Sequence, residues 1–106
     1  MKSNTVIDLH NGMAQIKQGK PCFSMTVKKY KFQEEGLHHI LIDNNLNYLI
    51  EKLDEHWDVL YIYDDPQMLE IIRATPDIPT TKYDHWVLGN LFGYSHEAIM
   101  KFIRKV

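Results

Sequence analysis

One cysteine, Cys22, stands in 106 residues, so the chain cannot close a disulfide on itself and suits a reducing compartment. Its five glycines are scattered, which leaves no glycine-rich loop to cradle a phosphate. No Cys-x-x-Cys or His-x-x-x-His pair occurs, and no Gly-x-Ser-x-Gly surrounds a serine. These gaps set aside the usual zinc signatures and the nucleophile elbow, so the expectation is no catalytic residue, no metal and no cofactor. Unbroken apolar runs extend over only a few residues, too short for a membrane span, and residues 1–5 lead into no signal-peptide core. A cytoplasmic protein with no membrane partner is expected.

What is present is ordinary globular material: 44% hydrophobic and 25% charged residues, in a length that suits one domain over residues 1–106. Ten lysines against two arginines, with plentiful Ile and Asn, resemble the usage of AT-rich bacterial and phage genomes. The net charge of −2 hides a division along the chain. Residues 1–33 carry six lysines and one acid, net +5; residues 34–79 carry eleven acids and two bases, net −9; residues 80–106 are net +2. Faces of opposite sign favour an oriented contact with a charged partner, although solvated faces that simply differ in charge would read the same. Six histidines make that balance sensitive to pH just below neutrality.

Residues 5–18 fit two readings, a short strand at Val6-Ile7 or a helix face of Ile7, Leu9, Met13 and Ile16, with Asn11-Gly12 interrupting either. Gly19-Lys20-Pro21 is a turn, after which Phe23, Met25 and Val27 alternate with Ser24, Thr26 and Lys28 as in a half-buried strand. A bulge near Lys28-Lys29 restores phase for Tyr30 and Phe32, and Glu34-Glu35-Gly36 reads as a hairpin connection into a strand Leu37–Ile42. Asp43-Asn44-Asn45 offers N-cap side chains for a helix bearing Leu46, Leu49, Ile50 and Leu53, ending near His56. Residues 57–63 are apolar on both faces, as in a central strand. Asp65-Pro66 starts a helix with Met68, Leu69 and Ile72 on one face, a loop holds Pro76 and Pro79, and two C-terminal helices span about 81–92 and 95–104. The expected class is α+β: a mixed or antiparallel sheet of three to four strands packed by helices, with an α/β part over residues 1–75 and a helix pair over 80–106 ending in an αα-corner.

The run Leu88-Gly89-Asn90-Leu91-Phe92-Gly93-Tyr94-Ser95-His96-Glu97-Ala98-Ile99-Met100-Lys101-Phe102 has a glycine for a tight turn, a second glycine one helical turn earlier for close approach, and apolar residues to lock a corner. Residues 84–104 thus resemble a helix-turn-helix, in about a fifth of the chain. That resemblance implies a recognition helix whose Ser95, His96, Glu97 and Met100 face base edges while Lys101, Arg104 and Lys105 hold phosphates. The same packing rules also suit any αα-corner with a short glycine turn. A second nucleic-acid reading interleaves Lys20, Lys28, Lys29 and Lys31 with Phe23, Tyr30 and Phe32, as single-strand binders do. Core demand for the phenylalanines and protection of a sheet edge by lysines explain that pattern more simply.

Other chemistry is thin. His38 and His39, adjacent on an expected strand, would point to opposite faces and could not chelate together. Asp64-Asp65 lies at the carboxyl end of a strand, but a helix cap explains Asp65. A hydrolase would have to gather His10, His38, His39, His85 and Asp64 from across the fold. Aromatics with polar ends remain: Tyr83, Asp84, His85 and Trp86, with Tyr94, form a candidate interface. The primary expectation is a small non-catalytic module acting on a protein partner. DNA binding through the C-terminal helices is the alternative, and a homodimer is a further option.

Overall fold

The structure is a computed structural model that describes residues 4–75 and 79–105. Residues 1–3, and Pro76 of the expected loop, lie outside the described residues. The order is α1 (Asn4–Lys17), β1 (Phe23–Lys28), α2 (Lys31–Glu34), α3 (Leu37–Asp43), β2 (Asn47–Lys52), β3 (Trp57–Tyr63), α4 (Met68–Ala74), α5 (Lys82–Leu91) and α6 (His96–Ile103). The class is α+β, with one three-stranded antiparallel sheet of order β1-β3-β2. No described helix is long and apolar enough to cross a membrane.

The doubly apolar run of residues 57–63 is the central strand. Alternation puts Leu60 and Ile62 on one face with Phe23, Met25, Val27 and Tyr48, and α1 and α3 cover them with Leu9, Met13, Ile16, Leu37 and Leu41. Leu9, Leu37, Leu41, Leu60 and Ile62 are fully enclosed, each stabilising the fold by about 2 kcal/mol relative to exposure. The opposite face carries Tyr61 and Tyr63, covered by Cys22, Met68, Leu69, Ile72, Leu91 and Phe92 from β1's approach, α4 and α5. At the far end of this second face the strands present Thr26, Lys28 and Glu51 instead.

Two elements differ from the sequence expectation, and they exchange identities. Residues 37–42 form a helix rather than a strand. Leu37, Ile40 and Leu41 recur at helical spacing, and that spacing prevails because both leucines can then be buried on the sheet. Residues 47–52 form a strand rather than a helix, because the expected N-cap at Asn44-Asn45 terminates α3 instead. Asn45 takes φ 57°, Leu46 N–H donates to Leu41 O at 3.0 Å and Asn45 N–H to Ile42 O at 3.0 Å, which is a Schellman closure with asparagine in the glycine position. The Asn44 side chain donates to Ile40 O at 2.8 Å and accepts from Lys17 Nζ at 3.2 Å, tying α3 to α1. Past this stop, Tyr48 and Leu49 turn to opposite faces, so both sides of β2 find cover.

The bulge and hairpin expected after Val27 are likewise replaced. The chain leaves the sheet at Lys29, whose N–H donates to His56 O, and coils into α2. His56 therefore sits in the β2–β3 connection and not at a helix end. There Asp54 accepts the N–H groups of His56 at 2.8 Å and Trp57 at 2.9 Å, which hold its carboxyl below the usual carboxylate range. Residues 4–17 follow the helical alternative. Gly12 does not interrupt that helix; it is buried against the Phe23 ring, where any Cβ would collide.

Gly12→Ala should therefore destabilise the protein, although alanine favours helix by about 1 kcal/mol over glycine. Overpacking costs about 1–3 kcal/mol and exceeds that gain. Urea unfolding midpoints would check this, and a variant as stable as the parent would show that Phe23 yields freely.

Candidate functional site

The C-terminal helices begin and end on local signals. Thr81 Oγ1 accepts Asp84 N–H at 3.1 Å, and Asp84 Oδ2 accepts Thr80 N–H at 3.0 Å and Thr81 N–H at 3.2 Å, closing a capping box at the start of α5. The Thr80 N–H first, with Thr81 after it, holds the Asp84 carboxyl below its ordinary 3.8. At the other end Gly93, at φ 76°, closes α5: Tyr94 N–H donates to Gly89 O at 2.9 Å and Gly93 N–H to Asn90 O at 3.1 Å. Ser95 Oγ then caps α6 by accepting Ala98 N–H at 3.1 Å.

α5 and α6 pack on each other where a Cβ on Gly89 would lie 2.6 Å from Ile99 Cγ1. Alongside this contact runs an open apolar groove of about 400 Å³. It is lined by His85, Leu88 and Gly89 of α5 with the cap residue Phe92, by Tyr94 of the connecting turn, and by Ala98, Ile99 and Phe102 of α6. His85 meets Phe102 edge-on, with ring centroids 5.1 Å apart. Near the groove Tyr83 stacks on Trp86 at 6.2 Å. The aromatics stay open to solvent: Tyr83 is 70% exposed, Trp86 42%, Tyr94 60% and Phe102 52%.

Of the five residues expected at an interface, His85 and Tyr94 line the groove, Tyr83 and Trp86 stack on each other and do not line it, and the Asp84 carboxylate is committed to the cap. Of the DNA-facing candidates, Ser95 is likewise a cap, Met100 is half-buried, and His96, Glu97, Lys101, Arg104 and Lys105 are exposed. Sequence reasoning marks Phe102 as a locking residue and passes over Ala98. Their signal was legible: Ala98 and Phe102 stand four residues apart on α6, beside a second stripe of Ile99 and Ile103 that is the buried one.

The remaining candidates are dispersed. Phe23 and Phe32 pack on the first sheet face, Lys29 pairs with Asp58, Lys31 lies 3.6 Å from Glu35, and Lys28 sits over Trp57 at 5.6 Å. Most of the cations in that proposed single-strand track are thus already engaged by acids or rings. His38 and His39 share a helix rather than a strand, so their rings touch at 5.5 Å instead of pointing apart, and His38 Nδ1 is 2.6 Å from the Tyr48 hydroxyl. Among the described residues no three His, Cys, Asp or Glu side chains gather as a metal site would require. Cys22 is buried, and burial pushes its thiol up to about 11, which leaves it protonated and poorly nucleophilic at neutral pH. No protein-family model matches the chain, and neither curated proteins nor solved structures provide a match.

Gly89→Leu should push α6 off α5, costing about 1–3 kcal/mol by overpacking. A thermal midpoint equal to the parent's would discredit the contact. A second expectation concerns pH. A carboxyl depressed in the folded state contributes stability above its unfolded pKa and loses it as pH falls through the folded one. Asp84→Asn should therefore lower the melting temperature at pH 7, and the gap to the parent should narrow as pH falls below 3.8; an equal gap at all pH values would contradict the charged cap.

Proposed function

We propose that the protein is a non-catalytic binding module that engages a protein partner through the groove between α5 and α6. One observation carries the reading: exposed aromatic and aliphatic side chains converge on a single concave surface, where the fold has placed no covering element among the described residues. Isolated exposed apolar residues are commonplace, but a concave cluster of them is the form in which interfaces seat an anchor. A groove between two packed helices suits an amphipathic helix presenting side chains at i, i+4 and i+7. The stripe of Tyr94, Ala98 and Phe102 favours this reading over DNA binding. A recognition helix lying in a DNA groove would set those apolar side chains, and Glu97 of the same helix, among phosphates and polar base edges, where neither gains a partner.

The test is a selection of displayed random peptides against the full-length protein, followed by titration of the winners into isotopically labelled protein. The amide signals of Leu88, Gly89, Ala98 and Phe102 should shift, and Phe102→Asp should weaken binding at least tenfold. Phe102 is half exposed, so that variant should remain folded. Peptides that shift β1 or β2 instead, or bind the Asp variant equally well, would sink the reading.

A further inference from the structure

The sheet has two outer edges, β1 and β2, and the sequence guards them unequally. Leu53 N–H donates to Trp57 O at 3.1 Å, which continues the β2–β3 register by one pair. Bonding direction alternates along an antiparallel strand, so Asn47, Leu49 and Glu51 likewise turn their backbone groups to β3. Tyr48, Ile50 and Lys52 therefore turn theirs outward, and among the described residues no other segment hydrogen-bonds to them. By the same reasoning Lys29, donating to His56 O, leaves Ser24, Thr26 and Lys28 outward on β1. Native sheets guard such edges with lysine, proline or a bulge. β1 has polar side chains at all three outward positions, and α1 and α2 pack on it so that its Val27 is only 2% exposed. β2 has neither proline nor bulge, and its one cation, Lys52, stands at its last position. At its middle Ile50 is 36% exposed, next to Tyr48 and Leu49 in an unbroken apolar triplet.

We propose that β2 pairs with β2 of a second copy of the chain, antiparallel about a two-fold axis through Ile50. The strand selects this occupant because it complements itself in that register. Ile50 faces its own counterpart, Tyr48 faces Lys52 and Leu49 faces Glu51, so no like charges are opposed. The outward residues of both strands fall in hydrogen-bonded pairs, so every open N–H and C=O of β2 finds a partner. Neighbouring registers fail on this chain. Centred on Glu51, the pairing sets two carboxylates face to face. Centred on Leu49, it sets Lys52 against Leu46, whose N–H is already given to Leu41 O. A short strand ending in lysine is partly blunted in any case, but that does not explain an exposed isoleucine at its centre. The product is one continuous sheet with the guarded β1 at both ends, a closed isologous dimer rather than a filament. No β2 residue lines the α5–α6 groove, so the pairing stands apart from that site.

Sedimentation equilibrium and amide exchange of the full-length protein test it. The dimer fraction should rise with concentration, and exchange at Tyr48, Ile50 and Lys52 should slow about tenfold as it does, with Ser24, Thr26 and Lys28 unchanged. Ile50→Glu and Ile50→Lys each set like charges on the axis, so each alone should weaken the dimer about tenfold, and mixing the two should restore it. That recovery needs both variants folded, so misfolding cannot imitate it. A protein that stays monomeric at about millimolar concentration would overturn the proposal, as would slowed exchange at Ser24, Thr26 and Lys28 instead of β2. A dimer that survives either substitution, or folded variants that fail to recombine, would overturn the pairing about Ile50. Where a variant does not fold, the exchange pattern of the parent decides alone. A dimer abolished by Phe102→Asp would move the contact to the groove and overturn the edge pairing.

Discussion

The fold depends on one requirement, that β3 be covered on both faces. Leu60 and Ile62 point one way, Tyr61 and Tyr63 the other, and a strand paired on both edges cannot hide either set by itself. The first face is covered by elements that surround it in sequence: α1 precedes β1, and α2 and α3 fill the crossover between β1 and β2. The second face draws its helices only from the chain after β3. α4 reaches it with Met68, Leu69 and Ile72, and α5 with its C-terminal end, Leu91 and Phe92. α6 then packs mainly on α5, through Ile99 against Gly89. The groove results from that succession. α6 carries apolar residues on two sides; α5 buries one and meets the other only at its edge, through His85 on the Phe102 ring.

Where sequence and structure agree, the local signals were unambiguous. β3 was legible because it is apolar but for Asp58, and the C-terminal helices because Thr81, Asp84, Gly93 and Ser95 mark their ends. The exchange between residues 37–43 and 47–52 has a different origin. Leu37, Ile40 and Leu41 satisfy a helical period while Leu37, His39 and Leu41 satisfy a strand period; Leu46, Leu49, Ile50 and Leu53 read as a helix face although Tyr48, Leu49 and Ile50 are a continuous apolar triplet. Asn44-Asn45 was the decisive signal and it points both ways, since asparagine caps a helix start with its side chain or a helix stop with positive φ. Only the choice of partner for β3 resolves it. That choice belongs to tertiary packing, and in a segment of six or seven residues packing overrides local preference. The candidate interface was legible as composition, in Tyr83, His85, Trp86 and Tyr94, but its concavity was not, because it depends on how closely Gly89 lets α6 approach.

Exposed apolar surface carries a cost in the isolated protein, and α6 makes that cost specific. Phe102 would lose little of its cohesion with the helix if it were polar, since Ile99 and Ile103 already hold α6 to its neighbours. His85 shields one side of the Phe102 ring, and the Lys20 ammonium shields part of Tyr94. Both contacts lessen the exposed apolar area without filling the groove between them. The pattern is what a surface needs if it must stay in solution alone and still present an anchor pocket: charged stems lie over the rims, and the interior is left open.

The helix pair that carries this surface is determined locally to an unusual degree. Its first helix is closed at one end by the Thr81–Asp84 capping box and at the other by the Gly93 turn, and the second opens on the Ser95 cap. None of those contacts involves the sheet, whereas the cluster of Leu91 with Tyr63 does. Support and exposed surface therefore fall to different residues of the same pair. Leu91 and Gly89 hold the helices in place, while Ala98 and Phe102 face outward from a frame that does not need them. A surface so separated from its support can vary in sequence while the sheet, and the closures that aim the helices, stay as they are.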